Sequence, residues 1–369
     1  MENKLKQIAA FGQSIWLDYI RRDLIAGGGL LRMIGADGLS GMTSNPAIFE
    51  KAIGESQEYD QAIRTLGAAG MDAQGIYEAL SQEDVRNAAD VFRPLYESTN
   101  GGDGYVSLEV DPHLARDSAG TVEEARRLWK ALDRPNVLIK VPATAEGLAA
   151  IRQLTEEGIS TNATLLFGLA RYRQVAQAYL AGLSARVTRG QPVRQVASVA
   201  SFFLSRIDTL VDPQLEALAA QGGKIEIMAR QAQGQVSLAS ARLAYHSYLE
   251  MFGPGPLLHL ARAGARPQRL LWASTASKNA AFSDVKYVDA LIGPETVNTL
   301  TLETLDAYRD HGEPAARLAQ GLELARRVFE NLQALGIRMA EVALGLEEAG
   351  VAKFLQPFDN LLTALGQRA

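Results

Sequence analysis

Cysteine is absent from the chain. Disulfides, thiolate zinc sites and cysteine nucleophiles are therefore excluded. Histidine is scarce too: His113, His246, His259 and His311 are scattered, with none of the short spacings of a zinc site. Neither metal nor cofactor is expected. No apolar run is long enough to cross a bilayer. The N-terminus, MENKLKQIAAFGQSIW, lacks the apolar core of a signal peptide. A cytoplasmic protein without a membrane partner is the expectation. A net charge of −5 offers no basic excess to attract nucleic acid. Internal repeats and low-complexity stretches are missing as well.

What is present is ordinary globular material: 369 residues, 47% hydrophobic and 21% charged, enough for one large domain or two small ones. Short β-like runs alternate with helical periodicity up to about residue 312. The clearest strands are SIWLD (14–18), YVSLEV (105–110), NVLIKV (136–141), VASVASFF (196–203) and RLLWAS (269–274). Weaker ones are LSGMTS (39–44), GISTN (158–162) and TVNTLT (296–301). Helices are expected over 121–133 and 163–183. A further helix is expected over 283–293, where Ser283 or Asp284 can cap and Gly293 can terminate.

Eight strands, each followed by a helix, predict a parallel sheet. That number suits a closed (β/α)8 TIM barrel of about 250 residues with insertions. An open doubly wound sheet uses the same local patterns, but its glycine-rich turn after strand 1 is missing. The run AGGGLL (26–31) follows a helical stretch and reads as a turn. Beyond residue 313 the apolar spacing becomes helical, and no flexible linker separates this tail. One domain over 1–369 is expected, with a barrel core at about 12–312 and C-terminal helices, 313–369, packed on it.

In a parallel barrel the functional groups collect at the C-terminal strand ends. Those ends carry Asp18, then Thr43-Ser44-Asn45, then Glu109 with Asp111, then Lys140, then Asn162 and Thr164. The sixth and seventh supply Ser201 with Arg206 and Ser274 with Lys278. Capping explains some of these. It does not explain Glu109 and Lys140, which interrupt apolar strands. Side chains alternate along a strand, so Lys140 shares a face with Leu138, and Glu109 with Ser107. If the Val/Ile faces pack against helices, both charges point into the barrel on strands about 4.8 Å apart.

A structural ion pair is one reading of that placement. A reactive amine with a neighbouring acid is the other. Apolar walls penalise the charged form of an amine, and a neutral amine attacks a ketone to form an imine. The protonated imine draws electrons from the adjacent C–C bond, which permits retro-aldol cleavage without metal. Such a cycle needs a proton shuttle and a base, and Glu109, Asp18 and Thr164 are suitable types. Asn45 and Asn162 match sugar hydroxyls. Arg206, Lys278, Ser201 and Ser274 are donors suited to phosphate oxygens, and barrels often bind phosphate near the loop after strand 7. The substrate class indicated is a phosphorylated polyhydroxy ketone.

Seven ordered segments now resemble one family, the transaldolases. They are GMTSNPAIFEKAI (41–53), VSLEVDP (106–112), VLIKVPAT (137–144), STNATLLFG (160–168), SVASFFLSRID (198–208), LLWASTASKN (270–279) and LIGPETVNTLT (291–301). The likeness extends to FLQPFDNLL (354–362) and is greatest to the longer bacterial type. It implies a class I aldolase-type barrel of the pentose phosphate pathway. A dihydroxyacetone unit would pass from sedoheptulose 7-phosphate or fructose 6-phosphate to glyceraldehyde 3-phosphate or erythrose 4-phosphate.

The resemblance also implies roles. Lys140 would form the Schiff base, Glu109 would move protons through a water held by Thr164, and Asp18 would be the base at the cleaved bond. Asn45 and Asn162 would hold the dihydroxyacetone portion with Ser201 close by, while Arg206 and Ser274 would meet the phosphate. One position departs from the pattern: Ala276 stands where many relatives have an arginine, and Lys278 is the expected substitute as a point charge. Two other functions fit the residues alone: an aldolase releasing free dihydroxyacetone, and a non-catalytic sugar-phosphate-binding barrel. Monomer and homodimer are both open.

Overall fold

A computed structural model describes residues 3–253, 255 and 257–369. Eight strands run in parallel and close on themselves in sequence order. They are β1 (Gln13–Asp18), β2 (Leu39–Thr43), β3 (Tyr105–Glu109) and β4 (Val137–Pro142), followed by β5 (Thr161–Leu166), β6 (Ser198–Phe203), β7 (Arg269–Ala273) and β8 (Thr296–Leu300). β1 pairs with both β2 and β8, which closes the expected barrel. Within AGGGLL, Gly27 and Gly28 form a turn between the helices Arg22–Ala26 and Gly29–Asp37, with Gly28 at φ 72°. That left-handed backbone suits glycine.

Alternation sets the two sides of the wall. Ile15 and Leu17 pack outward, while Trp16 and Asp18 face in, Trp16 below and Asp18 at the mouth. Glu109 stands level with Lys140, and Lys140 with Asn162, across three adjacent strands. Residues opposite one another in a parallel pair share a face, so these three polar side chains form one interior layer.

Two expected boundaries move. β5 extends to Leu166, so the following helix spans Leu169–Thr188 instead of starting at 163. The cause is local: Leu165 has φ 59°, and the β5–β6 register slips between Ala163 and Leu166. A bulge of this kind breaks the period-2 pattern by which a strand is read. The helix expected over 283–293 is confined to Lys286–Ala290.

The tail forms two helices, Leu322–Ala334 and Met339–Arg368. The second crosses the barrel mouth. Gly350 passes over the end of β5 so closely that an added Cβ would stand 3.0 Å from Leu165 Cδ2. Phe354 reaches Lys140, and Phe358 packs edge-on against Tyr77 at 5.1 Å. Beyond it Asn360 donates to Glu50 at 2.9 Å, and Arg368 donates to the carbonyls of Ile53, Gly54 and Ser56. None of the helices among the described residues is long and apolar enough to cross a membrane.

Candidate active site

Lys140 is held from three sides. Its Nζ donates to the carbonyl of Ser44 at 3.0 Å and lies 3.4 Å from Oε2 of Glu109. The ring of Phe354 is centred 5.5 Å away. Ser44 is fixed in turn by its own hydroxyl, which donates to the carbonyl of Ser107 on β3 at 2.7 Å. Lys140 is 4% exposed and Glu109 6%, so the amine and the acid meet away from bulk water.

Burial pushes the Glu109 carboxyl up to about 7, since desolvation outweighs the attraction of Lys140 and the Asp18 charge adds to the rise. Neither carboxylate oxygen has a hydrogen-bond partner, and the buried hydroxyl of Thr164 has none either. Asp18, at the end of β1, accepts from the Thr43 hydroxyl at 2.7 Å.

A cavity of about 220 Å³ opens over this layer. Asp18, Asn45, Lys140, Thr164, Ser201, Arg206, Ser274 and Lys278 all line it. Eight of the ten expected site residues thus share one wall. Glu109 and Asn162 stand just behind it. The Asn162 amide donates to Ser107 at 3.1 Å and accepts from Ser201 at 2.7 Å, so it fixes Ser201 from within the layer.

Asn45 caps the helix Pro46–Phe49 by accepting from the Ile48 amide at 3.1 Å. Its side-chain nitrogen has no acceptor among the described residues. Arg206 follows β6 on the helix Ser205–Ala219. Its guanidinium lies 5.2 Å over Phe203, with Nη1 buried and unpartnered. Burial holds its pKa below the usual arginine value, partly offset by Asp18. Ser274 sits at φ 54° with its hydroxyl 2.8 Å from that of Ser205. Lys278 is exposed on the loop after β7.

Sequence reasoning missed the positioning roles of Thr43 and Ser44, which it listed only as polar groups at the end of β2. It also missed Lys353 and Phe354, which line the cavity from the C-terminal helix. No local pattern marks a residue that meets the barrel only through tertiary packing. A larger cavity, about 440 Å³, lies between the helices Leu169–Thr188, Leu322–Ala334 and Met339–Arg368. Its ionisable lining groups, Arg171 and Glu347, pair with each other at 3.1 Å. The amine, the acid and the free cations converge on the smaller one. Among the described residues no three His, Asp or Glu side chains gather as metal ligands would.

A buried lysine beside an acid in a polar barrel mouth narrows the field, and comparison with known proteins decides the family. Residues 15–365 match the model of the Transaldolase/Fructose-6-phosphate aldolase family. The chain belongs to that family. It is 45% identical to the transaldolase of Thiobacillus denitrificans, over 99% of this chain and all of the relative. It is also 45% identical to the Thermobifida fusca transaldolase, over 100% of this chain and 99% of the relative. With the Trichodesmium erythraeum transaldolase the figures are 44%, 99% and 97%. These full-length likenesses put it on the transaldolase side of the family, among the transferases.

Proposed function

We propose that this transaldolase-family chain moves a dihydroxyacetone unit between sugar phosphates through a Schiff base on Lys140. The donor is sedoheptulose 7-phosphate or fructose 6-phosphate, and the acceptor is glyceraldehyde 3-phosphate or erythrose 4-phosphate. The observation that carries this reading is the buried amine of Lys140, on the cavity wall 3.4 Å from the Glu109 carboxyl.

In this reading the Lys140 nitrogen attacks the donor C2 carbonyl, and the carbinolamine loses water to give the iminium. Glu109 supplies and recovers protons for both steps. A carboxyl that titrates at about 7 is close to half-protonated in neutral solution, which suits an acid that must also act as base. Transfer passes through a water held between Glu109 and Thr164, whose buried oxygens lack protein partners. Asp18 takes the proton of the C4 hydroxyl as the C3–C4 bond breaks, and the electrons of that bond flow into the iminium to give an enamine. The aldose phosphate leaves. The acceptor aldehyde enters, the steps reverse, and hydrolysis frees Lys140.

Asn45 and Ser201 hold the hydroxyls of the three-carbon unit, with Asn162 orienting Ser201. Arg206, Ser274 and Lys278 take the phosphate. The barrel and its tail work as one unit, because Phe354 completes the wall around Lys140. Phosphorylated sugars do not cross bilayers unaided, so the reading goes with a cytoplasmic setting.

Borohydride reduction in the presence of fructose 6-phosphate tests it. A three-carbon adduct on the Lys140 peptide is expected. Label on another residue, or full turnover by Lys140→Met, would overturn it. The family also holds fructose-6-phosphate aldolases, which makes release of free dihydroxyacetone the second reading. Turnover of fructose 6-phosphate that needs erythrose 4-phosphate favours transfer; equal turnover without acceptor favours the aldolase.

A further inference from the structure

The cavity is rich in cations, of which only Lys140 has an ion-pair partner, Glu109, among the described residues. Lys140, Arg206, Lys278 and Lys353 line it, against Asp18 as the one lining carboxylate. Arg206 follows β6 and Lys278 follows β7, whereas Lys353 comes from the helix Met339–Arg368, outside the barrel.

Most arginines of this chain sit beside a carboxylate; among the described residues, Arg206, Lys278 and Lys353 have no ion-pair partner. For Lys353 the sequence itself forbids a helical pair. Residues three and four away are neighbours on a helix, and here they are Ala349, Gly350, Gln356 and Pro357. Three like charges on one wall repel one another unless an anion is shared between them. Charge-assisted contacts to phosphate oxygens are the strong kind of hydrogen bond.

Lys353 is also one residue from Phe354, which is 4% exposed and packed over the amine. A group that fixes Lys353 therefore fixes the turn of helix that covers Lys140.

We infer that Lys353 is a phosphate-binding residue of the substrate site, delivered by the C-terminal helix, and that a bound sugar phosphate steadies that helix in its place over Lys140. The inference rests on the reading of the cavity as a sugar-phosphate site. It assigns the third cation of that site to a segment remote in sequence from every strand end. It also gives the tail a function: the tail supplies a charge to the site it covers.

Lys353→Gln is the test, since an exposed position tolerates the change, with Lys353→Arg as the control that restores charge. The full chain is assayed with fructose 6-phosphate and with unphosphorylated fructose as donors, and with inorganic phosphate as an inhibitor. Lys353→Gln should raise KM for fructose 6-phosphate about tenfold or more and weaken inhibition by inorganic phosphate similarly. Any turnover of unphosphorylated fructose should fall far less than that of fructose 6-phosphate, and Lys353→Arg should recover most of the loss.

Hydrogen exchange provides a second readout. Inorganic phosphate should slow exchange over residues 350–357 in the wild type and not in Lys353→Gln. Unchanged KM and phosphate inhibition in Lys353→Gln would overturn the inference. So would an equal loss with fructose as donor. A wild-type protein that gives no borohydride adduct with fructose 6-phosphate would instead remove the site reading on which the inference stands.

Discussion

Lys140 and Glu109 face each other across the β3–β4 register, with Nζ and Oε2 3.4 Å apart. The side chains are 5% and 4% exposed, so each charge has lost most of its hydration. Desolvating an ion pair costs more than the attraction returns unless other hydrogen bonds complete it. Here Lys140 has only the Ser44 carbonyl, and Glu109 has no hydrogen bond at all. A pair built for stability would be better satisfied. This one leaves its acid close to neutrality and its amine against open space.

Glu109→Gln should remove a pH dependence from folding stability. In the fold the carboxyl holds its proton up to about pH 7, while the unfolded chain releases it near 4.5. Between those values the folded state binds the extra proton, so stability falls as pH rises through the window. Urea unfolding at pH 5 and pH 8 should show the wild type losing roughly 2–3 kcal/mol more than Glu109→Gln over that interval. Equal losses would mean that burial does not hold the proton on.

Thr43 tests whether Asp18 acts at bond cleavage. Its hydroxyl donates to Asp18 at 2.7 Å and thereby aims the carboxylate. Thr43→Val should lower kcat about tenfold, since a misplaced base costs rate without costing affinity. Borohydride trapping with fructose 6-phosphate should persist, because the imine forms before the C–C bond breaks. Thr43→Ser should restore the rate. Loss of trapping in Thr43→Val would place Asp18 in an earlier step.

Ser274 separates backbone strain from hydroxyl chemistry. Its φ of 54° lies in the left-handed region, and its hydroxyl meets that of Ser205 at 2.8 Å. Ser274→Ala and Ser274→Gly both remove the hydroxyl, but only glycine relieves the backbone. The glycine variant should be the more stable by about 1 kcal/mol. Both should raise KM for fructose 6-phosphate to the same extent. Thermal melts that rank the two variants equally would show that the loop carries no strain here.

Why some of this could be read from residues, and some not, is a matter of range. Lys140 and Glu109 were legible because a strand has a period of two, and a charge on that period must point somewhere definite. Leu165 hid the end of β5 because its positive φ breaks that period. Asn162 has the right chemistry for a sugar hydroxyl, and it also braces Ser107 and Ser201, which only the packed layer reveals. Lys353 and Phe354 were illegible for the same reason: the helix that carries them has an ordinary pattern, and its place over the mouth is set by distant partners such as Leu165, Tyr77 and Glu50.

Below the site the Trp16 ring is packed tightly on β2, and Gly41→Ala should expose this. Gly41 stands level with Trp16 in the β1–β2 register. A Cβ there would come within 2.5 Å of two Trp16 ring carbons. The ring is anchored, since its Nε1 donates to Asp103 at 2.7 Å and Asp103 is itself engaged by Ser14 and Arg269. Overpacking of this kind costs about 1–3 kcal/mol, and relief by rotating the indole would break its hydrogen bond. The easier escape is a shift of β1, which carries Asp18 two residues further along the same face. Gly41→Ala should therefore lower the Tm, alter the Trp16 fluorescence and reduce kcat together. A variant with wild-type melting and fluorescence would show that the interior gives way more easily than its packing indicates. Reduced kcat with unchanged stability would locate the slack in β1 itself.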